Sequence, residues 1–280
     1  MKPILKYAGG KSDELIHILP MIPQYTRFVE PFVGGGSLYF HLSPAQALIN
    51  DLNSRLVNFY VELRDQYDLC MKQLTTLHNL YAQNQNQYTK QIAQGLERPI
   101  NQNDALYYDL RNQFNGQPSD YLPAVLYYFI NRTAYGGLTR YNQKGRFNIP
   151  FGRYASFKID HITTQHRDLL HNTQIHNTDY SSVFECVEPS DFVFLDPPYD
   201  CKFYEYGNQA RKDTDNEAFQ RRLASDFKNL HCPSLMVVAQ TPLIKDLYAG
   251  YIANKYLKKY AVNIKNRFNQ DVEHLIIKNY

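Results

Sequence analysis

Arg27-Phe28-Val29-Glu30-Pro31-Phe32-Val33-Gly34-Gly35-Gly36-Ser37 is the stretch from which the fold can be read. Its first four residues form a short strand, and Pro31 ends it because proline lacks the N–H that a ladder needs. Three glycines then make a tight turn whose backbone can approach a ligand closely. Ser37 is placed to cap the helix that follows. Strand, glycine turn and helix open a βαβ unit, and open α/β sheets bind ligands at the carboxyl ends of their strands. Ala47-Leu48-Ile49 is the next strand. It closes at Asn50-Asp51, fifteen residues beyond Gly36, with a carboxylate suited to ribose hydroxyls or a cationic ligand. A dinucleotide fingerprint would need glycine where Tyr39 stands, and no GxxxxGK[ST] occurs, which argues against a nicotinamide dinucleotide or a nucleoside triphosphate.

Outward from this unit, helical periodicity runs from Ser54 to about Tyr81. Residues 83–102 are Gln/Asn-rich and read as a surface connection or a frayed helix end. Further helices are predicted from Asp104 and from near Ser119, with Pro123 in the first turns, and the Tyr/Leu/Phe stretch from Tyr121 to Phe129 reads as core. Gly136 to Pro150 reads as a hairpin or extended loop. Phe192-Val193-Phe194-Leu195 and Leu235-Met236-Val237-Val238 are wholly apolar, as buried parallel strands are, with a helix from Asn216 to Leu230 between them. Lys255 to Ile264 and Val272 to Ile277 read as a closing antiparallel pair, with Lys255, Lys258 and Lys259 as edge-strand charges. The fold class is therefore α/β. A mainly helical insertion, 54–154, interrupts a sheet domain made of 1–53 plus 155–280.

Composition bounds the function classes. The chain has 280 residues, 44% hydrophobic and 20% charged, as an ordinary soluble globular protein has. No stretch approaches the roughly 20 apolar residues that span a bilayer. Four cysteines without a CxxC pair point to reduced thiols in a cytoplasmic protein, not to a zinc site or a disulfide framework. His161, His166, His171 and His176 recur every five residues and share no helical face, so no metal site is expected. The net charge is only +3, yet the segment from Arg132 to Lys158 carries six basic residues and no acidic one, leaving the remainder at −3. Six aromatics (Tyr135, Tyr141, Phe147, Phe151, Tyr154 and Phe157) interleave with them. Basic side chains meet phosphates and aromatic faces can stack on unpaired bases, so a nucleic acid is a candidate partner.

Asp196-Pro197-Pro198-Tyr199 directly follows the apolar strand ending at Leu195. Two prolines stiffen the turn and remove two donors, leaving the Asp196 carboxylate and the Pro197 carbonyl as a fixed pair of acceptors. Tyr199 adds an aromatic face. Two acceptors that hold both hydrogens of an exocyclic amine favour a pyramidal nitrogen, whose lone pair can then attack a sulfonium methyl in line. The base has to leave its helix first, and a ring such as that of Tyr199 can hold it there. Lys6-Tyr7-Ala8-Gly9-Gly10-Lys11 is a second glycine turn. Lys11 could pair with a carboxylate there, and Tyr7 could pack on a base.

These segments, in this order, resemble the Dam-type (alpha group, D12 class) DNA adenine-N6 methyltransferases. Lys6 to Lys11 is similar to the family's opening motif, Glu30 to Ser37 to its cofactor loop, and Asn50-Asp51-Leu52-Asn53 to its acidic strand end. Asn131 to Asn142, with Gly145 and Phe147 to Tyr154, resembles the target-recognition hairpin, and Asp196-Pro197-Pro198-Tyr199 the catalytic motif. The resemblance implies a Rossmann-like sheet that uses S-adenosylmethionine, releases S-adenosylhomocysteine and carries a target-recognition insertion with a β-hairpin. It implies double-stranded DNA as substrate, flipping of the target base, and GATC as target. It is compatible with a restriction endonuclease as functional companion or with a housekeeping role. It implies no membrane or metal. By position it puts Tyr7, Lys11, Glu30, Phe32, Gly34, Gly36, Asp51, Asp179, Tyr180 and Asp196 at the cofactor, and Asp196, Pro197 and Tyr199 at the reacting base. Lys6, Tyr135, Leu138, Arg140, Lys144, Arg146, Pro150 and Arg153 are assigned to DNA. Gly136 and the segment 200–206 depart from the family pattern. Methylation of cytosine N4 or of an RNA base, or a DNA-binding protein without catalysis, are the alternative readings.

Overall fold

The computed structural model describes residues 1–7, 9–200, 216–259 and 271–280. Ala8 of the opening turn, residues 201–206 after the proline corner and residues 260–264 of the expected last strand pair lie outside the described residues.

Among the described residues one sheet has seven strands: β1 (Arg27–Glu30), β2 (Ala47–Asn50), β3 (Thr173–His176), β4 (Asp191–Leu195), β5 (Ser234–Ala239), β6 (Ile252–Lys259) and β7 (Asp271–Lys278). Their order is β3-β2-β1-β4-β5-β7-β6. The first five run parallel, and β7 is antiparallel to both β5 and β6. Every residue of β2, β4 and β5 is buried, which is why these strands read as unbroken apolar runs. The strand order reverses between β1 and β4. The loops after these two strands therefore diverge and leave a crevice at their carboxyl ends.

Helices α1 (Leu15–Ile18) and α2 (Ser37–Leu42) precede β2, and α3 (Ser54–Asp65), α4 (Tyr67–Ala93), α5 (Gln102–Phe114), α6 (Pro123–Thr133) and α7 (Thr164–His171) lie between β2 and β3. The chain then adds α8 (Tyr180–Phe184), α9 (Asn216–Lys228) and α10 (Pro242–Leu247). The expected helix from Ser54 is two helices. Gln66, at φ −129° and ψ 34°, breaks it. Residues 83–93, expected as a surface connection or a frayed helix end, are the end of α4, which is 27 residues long. Its buried residues Cys70, Leu74, Leu77 and Tyr81 make the helical stripe, and none follows Tyr81, so the last three turns carry no apolar pattern. Ser37 does not cap α2. Gly36, at φ 65°, takes that place, and the Ser37 hydroxyl accepts instead from Ser12 Oγ at 3.4 Å.

The segment from Ala134 to Phe151 is a hairpin with little ladder of its own. Its bridges are Ala134 to Phe151 and Tyr141 to Phe147, closed by a turn at Asn142 to Gly145. Its returning arm is held by α5 instead. Tyr107 Oη donates to the Ile149 carbonyl at 2.8 Å, and Asn115 mimics a strand by accepting from Phe147 N at 2.7 Å and donating to its carbonyl at 2.9 Å. Of the six interleaved aromatics, Phe147, Phe151 and Phe157 are buried core residues and Tyr141 and Tyr154 half-buried; only Tyr135, at 59% exposure, stands out to solvent. Of the aromatic faces expected to be able to stack on bases, one ring is thus exposed, while Phe147, Phe151 and Phe157 are core residues. Tyr121, expected in the core, is only half-buried, whereas Val125 to Ile130 are buried.

His161 and His166 fasten the amino-terminal segment, with Nε2 hydrogen-bonded to the Ile4 and Lys2 carbonyls at 3.1 and 3.0 Å. Among the described residues no group of His, Cys, Asp and Glu could hold a metal, and no helix is long and apolar enough to cross a membrane.

Candidate active site and nucleic-acid interface

The crevice at the carboxyl ends of β1, β2 and β4 is a cleft of about 1030 Å³, its open mouth included. It brings together all the residues expected around the cofactor and all those of the proline corner. The glycine turn forms one wall. Gly34, at φ 48°, and Gly35 lie against the Tyr7 ring, where a Cβ would come within 2.9 and 2.7 Å of Tyr7 atoms. No larger residue fits there unless Tyr7 moves. Tyr60, from α3, donates to the Gly34 carbonyl at 2.9 Å, and Gly34 N donates to Asp51 Oδ2 at 3.0 Å. Asn53 N donates to the other Asp51 oxygen at 2.8 Å. Burial raises the Asp51 carboxyl above the usual range, against the pull of these backbone N–H groups. Each oxygen keeps a further lone pair for a ligand hydroxyl.

Two side chains outside the expected set fix the cleft's shape. Asn50, 1% exposed, donates to the Pro31 and Thr178 carbonyls at 2.9 and 3.1 Å and accepts from Thr178 N at 2.9 Å. It thus ties the loop after β1 to the loop after β3. Arg222, from α9, donates to Asp179 Oδ1 at 2.7 Å and to Tyr180 Oη at 2.9 Å. The Tyr180 ring lies 5.4 Å from that of Phe32, giving the cleft an aromatic end.

Glu30 sits on the cleft floor at 2% exposure, and its Oε2 is buried without a hydrogen-bond partner. Burial, then the nearby Asp196 charge, pushes its carboxyl well above the usual range. A backbone hydrogen bond from Tyr39 reaches this carboxyl, so its unmet acceptor capacity is at Oε2.

At the opposite end stands the proline corner. Asp196 Oδ2 pairs with Lys11 Nζ at 2.7 Å, with Lys11 3% and Asp196 21% exposed. Lys11 was expected to meet a ligand carboxylate; it meets this one. Burial raises the Asp196 carboxyl, and Lys11 is the main opposing influence. Tyr199 Oη donates to Asp196 Oδ1 at 3.3 Å, and Lys11 Nζ lies 5.1 Å from the Tyr199 ring centre. Gln220 Nε2 donates to the Pro198 carbonyl at 2.8 Å, so α9 pins the turn from outside.

Beside the cleft lies the basic segment. Lys6 joins it to the opening turn: its N–H donates to Asn131 Oδ1 at 2.9 Å, and its ammonium lies 4.6 Å from the Tyr154 ring centre. Tyr154 Oη in turn accepts from Gly136 N at 3.0 Å, which sets the turn presenting Tyr135 and Leu138. Arg140 is exposed, its Nε donating to Asn148 Oδ1 at 3.1 Å. Lys144 and Arg146 flank the hairpin tip and donate their N–H groups to Asn142 Oδ1, each at 3.0 Å. Pro150 is exposed. Arg153, at φ 53° and 78% side-chain exposure, lies 3.6 Å from Asp104. Of the eight residues assigned to DNA, seven are exposed and Leu138 is half-buried, and none is part of the cleft lining. Sequence reasoning missed Asn50 as a tie, Tyr60, Gln220 and Arg222. Each is a polar residue whose partner lies far away in the chain, and no local pattern marks it.

Comparison with known proteins identifies relatives along the whole chain. The chain is 33% identical over 289 residues to the type II methyltransferase M.CviBI of Paramecium bursaria Chlorella virus NC1A, covering 100% of both chains. It is 29% identical to the type II methyltransferase M.MjaIII of Methanocaldococcus jannaschii, covering 100% of this chain and 99% of the other. To the DNA adenine methylase of Escherichia coli strain K12 it is 28% identical, over 88% of this chain and 84% of that one. A family profile matches residues 7–264, from the tyrosine packed on the glycine turn to the closing strands. The match covers both the glycine turn and the proline corner, and the chain belongs to the D12 class N6 adenine-specific DNA methyltransferase family.

Proposed function

We propose that this enzyme transfers a methyl group from S-adenosylmethionine to N6 of an adenine flipped out of duplex DNA, within GATC. The observation that carries the reading is the shared cleft: Asp196, Pro197 and Tyr199 line the same crevice as Gly34–Gly36, Glu30 and Asp51. The donor supplies an electrophilic methyl on sulfur. The residues present suit it. Asp51 accepts from ribose hydroxyls, the Phe32 and Tyr180 rings with Asp179 hold the adenine, and Glu30 Oε2, which has no hydrogen-bond partner, meets the ammonium. Tyr7, Gly34 and Gly36 shape the wall against which the donor lies. Asp196 and the Pro197 carbonyl accept the two hydrogens of the target amine, Tyr199 stacks on the base, and Lys11 keeps Asp196 ionised.

On the DNA side, Arg140 reads a guanine edge, Leu138 and Pro150 pack on thymine methyls, and Lys6 reads a neighbouring base. Tyr135 fills the position the flipped base leaves. Lys144, Arg146 and Arg153 meet phosphates. Residues 54–154 act as the target-recognition unit, and 1–53 with 155–280 as the catalytic one. The enzyme works in the cytoplasm, alone or beside a restriction endonuclease of the same target. The test is incubation with methyl-labelled S-adenosylmethionine and duplexes that carry GATC or a scrambled site, followed by mass spectrometry of nucleosides. N6-methyladenine only in the GATC duplex supports the reading; label in the scrambled duplex rejects the target, and label on cytosine rejects the chemistry.

A further inference from the structure

Behind the catalytic corner lies a buried polar cluster that takes no part in lining the cleft. Glu14, 3% exposed, ends the turn that begins at Lys11, with its N–H donating to the Lys11 carbonyl at 2.9 Å. Its Oε1 accepts from Lys258 Nζ at 2.6 Å, and its Oε2 from His274 Nδ1 at 2.9 Å and from the Tyr256 hydroxyl. The His274 ring stands edge-on to that of Tyr199, 5.4 Å between centres at 87°. Lys258 reads from the sequence as an ordinary edge-strand charge; it is instead 14% exposed and committed to Glu14. The contacts close a loop: Glu14 to His274, His274 to Tyr199, Tyr199 to Asp196, Asp196 to Lys11, and Lys11 back to the Glu14 turn.

We propose that Glu14 and His274 are positioning residues for methyl transfer, Glu14 setting Lys11 and, through His274, the plane of the Tyr199 ring. The proposal rests on the reading of Asp196 to Tyr199 as the site of transfer. Desolvating several charged groups is costly, and well-packed apolar residues usually hold such a place at no loss of stability. The packing of β6 and β7 against α1 requires no charge. What an apolar filling cannot do is fix directions: a carboxylate with three donors holds His274 in one orientation, and the imidazole presents one edge to Tyr199. In-line transfer is sensitive to such placement, since a displacement of about 1 Å can cost about a hundredfold in rate.

The cluster also acts on charge. Glu14 is faced by Lys11 from its own turn, by His17 stacked on Tyr256, by Asp196 from the end of β4, by Tyr256 and Lys258 from β6 and by His274 from β7. Burial favours the neutral form of Glu14, but His274, Lys11, Lys258 and Tyr256 outweigh it and hold its carboxyl at about 2. Asp196 feels that negative charge, which opposes its ionisation, and Asp196 in turn raises the Glu30 carboxyl on the cleft floor.

The experiment uses the full chain and two variants, Glu14→Gln and His274→Phe, in methylation of a GATC duplex with S-adenosylmethionine. The expected result is a kcat lower by about tenfold in both, with KM for DNA and donor within about twofold. In Glu14→Gln the acid limb of kcat moves to lower pH, because a negative neighbour of Asp196 is gone and Lys258 is left uncompensated. A duplex with 2-aminopurine at the target gives altered emission in both variants when the base is flipped. Glu14→Asp, which keeps the charge, recovers part of the rate and returns the acid limb towards the wild-type position. Either kcat within about twofold of wild type in both variants, or equal losses in kcat and affinity with an unmoved acid limb, overturns the proposal. Failure of the underlying reading looks different: wild type would transfer methyl and Asp196→Asn would transfer it equally well.

Discussion

Asn50→Asp exchanges one NH2 group for an oxygen and changes almost nothing in volume, yet its cost can be worked out. The wild-type amide gives its two hydrogens to the carbonyls of Pro31 and Thr178, in a place only 1% exposed. The ionised carboxylate that replaces it would still accept from Thr178 N, but would turn an oxygen towards both carbonyls. Each orphaned buried acceptor costs about 1–3 kcal/mol, so the folded state loses about 3 kcal/mol or more. At about 2–4 °C per kcal/mol for a chain near this size, the melting temperature falls by about 6–12 °C. A protonated carboxyl can donate to one of the two carbonyls, so the new group has its pKa raised in the fold. The penalty is therefore smallest below the unfolded aspartate value of about 3.9 and grows as pH rises towards the raised folded value. Pro31 and Thr178 line the cleft, so the affinity for S-adenosylhomocysteine falls as well, by about tenfold for each 1.4 kcal/mol lost from binding. Thermal melts at several pH values and titration calorimetry with the product measure both effects. A variant that melts within about 2 °C of wild type throughout and binds the product equally well would refute the idea that this one amide ties the two loops.

Lys11→Met removes the main influence holding Asp196 down, so the acid limb of kcat moves to higher pH in a pH–rate profile. An unmoved limb would show that Asp196 does not act as an ionised acceptor. Asp196→Asn abolishes transfer while product binding persists. Asp196→Ala loses stability too, by about 3–5 kcal/mol, because it strands the Lys11 ammonium, 3% exposed, and denaturant melts of the two variants separate these effects. Arg140→Ala relaxes sequence preference by about 1–3 kcal/mol at one base of the target. Lys144→Ala, at the hairpin tip, weakens binding to all duplexes alike and lowers the salt slope by about one, read by fluorescence anisotropy at several salt concentrations.

The strands that build the cleft were legible because each is buried on both faces and ends on a residue that cannot continue it. Val29-Glu30-Pro31 and Leu195-Asp196-Pro197 are examples. The glycine turn and proline corner were legible because their chemistry is local. The end of α4 was not: past Tyr81 the helix buries no apolar residue, and Gln and Asn signal nothing about it. The hairpin misled in another way. Aromatic and basic residues alternate along it, and the sequence does not show that α5 captures the returning arm and draws Phe147 and Phe151 into the core. The ties that set the cleft's geometry, Asn50 to Thr178 and Arg222 to Asp179, join positions 128 and 43 residues apart, and such pairs leave no periodic trace.

The Glu14 carboxylate meets Lys258 and His274 across 244 and 260 positions of chain. On a ribosome adding about 5–20 residues per second, the interval between the making of Glu14 and of His274 is about 13–52 s. Throughout that time the amino-terminal half can emerge and form its glycine turn, but the His274 edge that Tyr199 meets in the finished chain does not yet exist. Under the positioning role proposed for Glu14 and His274, a chain cut short before β7 keeps the glycine turn and the proline corner but lacks the brace behind them.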